Sequence, residues 1–63
     1  MIIYGYTENP NQHAAESALS RLGDSTLVIA RRVIQNVMYG IPQTIPDDKL
    51  LREELSECNF IIK

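Results

Sequence analysis

The chain opens on a stretch with no helical period. Met1-Ile2-Ile3-Tyr4-Gly5-Tyr6-Thr7 is rich in β-branched and aromatic residues and predicts a strand over 1–7. Strict alternation puts Ile2, Tyr4 and Tyr6 on one face and Ile3, Gly5 and Thr7 on the other. The period then changes. Ala15, Ala18, Leu19 and Leu22 recur at i, i+3, i+4 and i+7, Ala14 widens the stripe, and Glu16, Ser17, Ser20 and Arg21 lie away from it. This predicts a helix over 10–22, capped by Asn9, with Pro10 at its first position and Gln12 at its third. Gly23 is suited to end it in the left-handed conformation. A single helix from Pro10 to Tyr39 is the alternative, because glycine in mid-helix costs only about 1 kcal/mol against alanine.

A second helix is predicted over 25–39, capped by Asp24 or Ser25. Leu27, Ala30, Val33, Ile34, Val37 and Met38 form its apolar face, flanked by Val28 and Ile29. Arg31, Arg32, Gln35 and Asn36 form its polar face. Gly40 and Pro42 close it, and residues 41–46, with two prolines, read as a connector. A third helix is predicted over 47–57, capped by Thr44, with Asp47 and Asp48 in its first turn. Leu50, Leu51, Leu55 and Cys58 make its apolar side, and Asp48 with Arg52 forms an i, i+4 pair. The tail, 59–63, holds the only other strand candidate, Phe60-Ile61-Ile62. Either the two ends of the chain pair, or the first strand pairs with its own copy across a twofold axis.

Length changes how this pattern is read. A 63-residue chain is one domain at most, and it buries only about 60% of the surface its unfolded form exposes. One cysteine and one histidine supply neither an intrachain disulfide nor a structural zinc site. With 44% hydrophobic residues and no staple, the expectation is an α+β, mostly helical protein completed by a second copy as an intertwined homodimer. Its seam would comprise Ile3, Ala15, Ala18, Leu19, Leu22, Leu27, Ala30, Val33, Ile34, Val37 and Met38. Tyr4, Tyr6, Val28, Ile29, Tyr39 and Ile41 are then surplus to the core and are the candidate partner-binding residues.

Candidate chemistry is sparse. The three glycines stand singly, so no loop cradles a phosphate. Glu53, Glu54 and Glu57 read as solvated charge, His13 has no second ligand or base at a useful spacing, and Cys58 reads as a buried, inert thiol. The expectation is a protein that is not an enzyme and needs no cofactor. A net charge of −2 argues against broad phosphate binding. The longest apolar run, Leu27 to Ala30, is too short for a membrane span, and no secretory signal is seen, so a cytoplasmic location is expected.

Two resemblances add to this. Residues 2–40, with a short strand, a Pro-started helix, Gly23-Asp24-Ser25-Thr26 and then Leu27, Ala30, Arg31, Val33 and Ile34, resemble the ribbon-helix-helix layout. That resemblance implies an obligate dimer whose paired first strands enter the DNA major groove, with Arg21, Arg31 and Arg32 on phosphates. Base reading needs Arg, Lys, Asn or Gln on the ribbon, and residues 2–7 supply none, so DNA ranks second as a partner. The length, acidic balance and helix-rich layout resemble the small early proteins of lambdoid temperate phages, in the group encoded between the recombination and excision genes. This implies a dimeric regulator that promotes lytic development by binding a host protein in the host cytoplasm.

Overall fold

In the computed structural model, which describes residues 1–22 and 26–63, the first strand is the middle of a sheet. Strand β1 (Ile2–Tyr6) lies between β2 (Gln43–Thr44) and β3 (Phe60–Ile62), antiparallel to both. The helices are α1 (Gln12–Ser20), α2 (Leu27–Met38) and α3 (Lys49–Glu57), and about half the chain is helical. The fold class is α+β. The two ends of the chain do pair, through β1 and β3. Both edges of β1 are thereby taken by its own chain, so a ribbon between copies would first have to displace β2 or β3.

Helix α2 packs on β1 and β2, α3 packs on β3, and α1 bridges α2 and α3. Ile3 from the sheet, Ala15, Ala18 and Leu19 from α1, Ile34 and Val37 from α2, and Leu51 and Leu55 from α3 meet in one core. Leu22, Val33 and Met38 are partly buried against it. Alanines at 15 and 18 let α1 approach its neighbours closely.

Several boundaries differ from the pattern reading, each for a local reason. The α1 cap is Asn11, whose Oδ1 accepts the Ala14 N–H at 3.2 Å, not Asn9. Asn9 takes a left-handed φ of 53°, which turns the chain before the helix. The α3 cap is Asp48, whose carboxylate accepts the Leu51 N–H at 2.9 Å, rather than Thr44. Thr44 is instead paired with Ile2 in β2. That short strand survives inside the connector because Pro42 and Pro46 flank Gln43 and Thr44 without occupying the ladder. With Asp48 committed to its cap, Arg52 pairs with Asp47, at 2.9 Å. Thr26 caps α2 by accepting the Ile29 N–H at 3.2 Å. The expected helix break at Gly23 and the caps at Asp24 or Ser25 lie outside the described residues.

The end of α2 follows the expectation. Gly40 has φ 87°, its N–H reaches the Val37 carbonyl, and the Ile41 N–H reaches the Asn36 carbonyl, both at 2.9 Å. This pair of bonds is the Schellman stop that glycine permits.

Candidate interaction surfaces

The eleven residues expected at a seam between copies separate into two groups. Ile3, Ala15, Ala18, Leu19, Ala30, Ile34 and Val37 are buried within the single chain, and Leu22, Val33 and Met38 pack against that core. Leu27 is exposed. The apolar face of α2 therefore has a destination in its own chain, namely α1 and the sheet. The pattern reading lacked that destination because it had no β2 or β3 to close the fold.

All six candidate partner residues are exposed, two at each end of α2 and Tyr4 and Tyr6 on β1. Val28 and Ile29 lie in the first turn of α2, beside exposed Leu27. Tyr39 and Ile41 lie at its far end, about 16 Å away at 1.5 Å of rise per residue. Val28, Arg32, Gln35 and Tyr39 are spaced four, three and four apart and so share one outward stripe. Val28 and Tyr39, the apolar ends of that stripe, are 66% and 81% exposed. Tyr4 lies on the sheet.

The sheet corrects the strict alternation of β1. The register pairs Ile3 with Ile62 and Gly5 with Ile61, an irregularity that leaves Tyr4 without a partner in β3. Beyond it Tyr6 pairs with buried Phe60, and the two rings meet edge to face at 6.5 Å. Residues directly opposite share a face. Ile3, Ile62, Phe60 and Tyr6 thus lie on the helix side, while Ile2, Tyr4 and Ile61 look outward with Thr44. A bulge of this kind is invisible until the partner strand is known.

Part of the charge on the helices is paired. Arg21 donates to Glu54, and Arg31 stands 3.8 Å from Glu16. Glu16 was expected away from the apolar stripe; it is in fact buried, covered where α1 packs on α2, with exposed His13 also 3.8 Å from its carboxylate. Arg32 carries no ion pair among the described residues. Leu50, expected on the apolar side of α3, is 62% exposed and rims a cleft of about 160 Å³ between α1 and α3. Ala18, Leu22 and Leu51 line its apolar part, and Arg21, Asp48 and Glu54 its polar part. Ile2, Leu27 and Leu50 are exposed apolar residues outside the six expected to meet a partner. Their signal is visible only as exposure.

Cys58 is buried, and burial, then the charges of Glu54 and Glu57, push its thiol pKa up from the ordinary value. That favours the unreactive protonated form at neutral pH. Glu53 and Glu57 are exposed and Glu54 half-buried. Among the described residues, no three of His, Cys, Asp and Glu are grouped to hold a metal ion, and no helix is long and apolar enough to cross a membrane. Comparison with known families, with curated proteins and with solved structures gives no match to this chain.

Proposed function

We propose that this protein is a small, non-catalytic regulator that acts by binding a host protein through the outward stripe of α2. The setting we propose is that of an early phage protein promoting lytic development in the host cytoplasm. The observation that carries the reading is the pair of exposed apolar clusters at the ends of α2, Val28 with Ile29 and Tyr39 with Ile41, in a chain whose core is already filled. Large apolar side chains left outside a completed core mark contact surfaces. A target helix or strand laid along the stripe would touch apolar anchors at both ends and Arg32 and Gln35 between them.

Association of two copies belongs to the same reading. Because the expected seam residues fill the interior of one chain, we propose that copies join as folded protomers rather than by intertwining.

The ribbon-helix-helix reading, a DNA-binding regulator, has less support. Arg21 and Arg31 each stand beside a carboxylate, which offsets the charge they would offer a phosphate.

The test is capture from host extract on immobilised full-length protein. One stoichiometric host protein should be retained by the native chain and lost with Val28→Asp or Tyr39→Ser, while circular dichroism stays native. Equal capture by the variants would overturn the assignment to α2. Binding to random duplex DNA at low salt, falling steeply as salt rises, would favour the DNA reading instead.

A further inference from the structure

Charge is shared unevenly among the helices. The chain holds eight acids, and none of them lies on α2. That helix carries Arg31 and Arg32, in a chain whose net charge is −2. Arg31 stands beside buried Glu16, which offsets part of its charge. Arg32 is exposed and carries no ion pair among the described residues. Its charge sits within the outward stripe, with Gln35 next along it and exposed Val28 and Tyr39 at the ends. A cation between two apolar anchors is complementary to an acid between two apolar anchors.

The backbone narrows the occupant further. Helix α2 offers only side chains outward, because its interior peptide groups are bonded along the helix. A strand laid on it would press its own N–H and C=O groups against this surface without partners. A helix arrives with those groups already satisfied. We propose that the stripe binds an amphipathic helix with an acidic contact face. Such a helix places two apolar residues eleven positions apart, with Asp or Glu four and seven positions after the first. The pattern copies the spacing of Val28, Arg32, Gln35 and Tyr39 and reads the same from either end, so it suits a partner running in either direction. At a crossing angle of about 20° two helices stay adjacent over this length. The apolar ends supply affinity, and the acids facing Arg32 and Gln35 supply the choice of partner.

Nucleic acid fits this surface less well. A duplex is charged along its whole length, and α2 meets it with two arginines, one of them offset by Glu16. The acids elsewhere, Glu53, Glu54 and Glu57 on α3 among them, repel phosphates beyond α2. They also confine an acidic helix to α2.

This inference rests on the α2 surface proposed above and narrows what that surface takes. Fluorescence anisotropy of the full chain tests it, with a labelled alanine-based peptide helix carrying two leucines and two glutamates at those positions, and its counterpart with lysines for the glutamates. Long-range attraction to a chain of net charge −2 favours the lysine peptide, so the opposite order reports local contact. The native chain should bind the acidic peptide about fivefold or more tightly than the lysine peptide, and the preference should shrink as salt rises. Arg32→Glu should reverse the preference with an unchanged circular dichroism spectrum, and Tyr39→Ser should weaken both peptides. Failure of the acidic peptide to bind, equal or tighter binding of the lysine peptide, or a preference that survives Arg32→Glu overturns the inference. So does binding of the native chain to duplex DNA or to phosphatidylserine vesicles that Arg32→Glu abolishes while neither peptide binds. In capture from host extract, a protein lost with Val28→Asp but kept with Arg32→Glu would leave the α2 surface standing and remove its acidic partner.

Discussion

At single residues, the surprises are places where a side chain answers to a partner far away in sequence. Tyr6 shares a face with Tyr4 by alternation and with Phe60 by register, and register wins because the bulge inserts Tyr4 between two paired positions. Glu16 is polar by type and buried by position, since α2 covers it and Arg31 supplies the opposing charge. Neither could be read from local pattern. Asp47 was legible only as an acid near a helix start. In the structure a hydrogen bond from Arg52, and then its positive charge, hold the Asp47 carboxyl below its ordinary pKa. A lowered folded-state pKa means the pair favours the folded chain above the ordinary aspartate range, and the contribution fades as pH falls through the lowered value. Asp47 is exposed and Arg52 half-buried, so the effect on stability is small and screened by salt. An NMR titration should therefore place Asp47 below a typical aspartate, and Arg52→Gln should return it to the ordinary range. An unchanged midpoint in that variant would show that Arg52 is not the cause.

At the level of elements, three helices and an opening strand were legible, because apolar periodicity repeats over many residues and tolerates single exceptions. The Gly40 stop was legible as well, since a glycine followed by Pro42 has one economical backbone solution. The starts of α1 and α3 were not. Asn9 and Asn11 are both good caps by type, as are Thr44 and Asp48, and what decides between them is where the preceding chain is pinned. Residues 43–44 are held by β1, and the Asn11 N–H is held by the Cys58 carbonyl at 3.0 Å. Strand β2 was missed for the same reason: two residues carry no period, and only the free edge of β1 recruits them. The cap assignment for α3 has a direct consequence. Asp48→Ala should destabilise the protein by about 1 kcal/mol through the orphaned Leu51 N–H, whereas Thr44→Ala should cost less than that. Denaturant unfolding of the two variants checks the order, and the reverse order would return the cap to Thr44.

For the molecule as a whole, the inference from size to intertwining assumed that three helical stripes and one strand leave too little interior. The described chain adds two short strands and turns the same stripes inward on each other. Its accessible surface is 4147 Å². Area–mass scaling gives about 4,100 Å² for a folded monomer of this mass. Its radius of gyration is 10.0 Å, against about 10.6 Å expected for a compact domain of this length. Both values fit a protomer that closes on itself. On the function proposed above, the exposed apolar residues at the two ends of α2 are left for a partner. The most direct test is the midpoint of thermal unfolding as a function of chain concentration, from about 1 µM to about 300 µM. A self-contained protomer predicts a cooperative transition that levels off at a concentration-independent midpoint on dilution, with native helical signal retained below it. A midpoint that keeps falling with dilution until helical signal is lost at the lowest concentrations would mean that the fold exists only in the assembled pair.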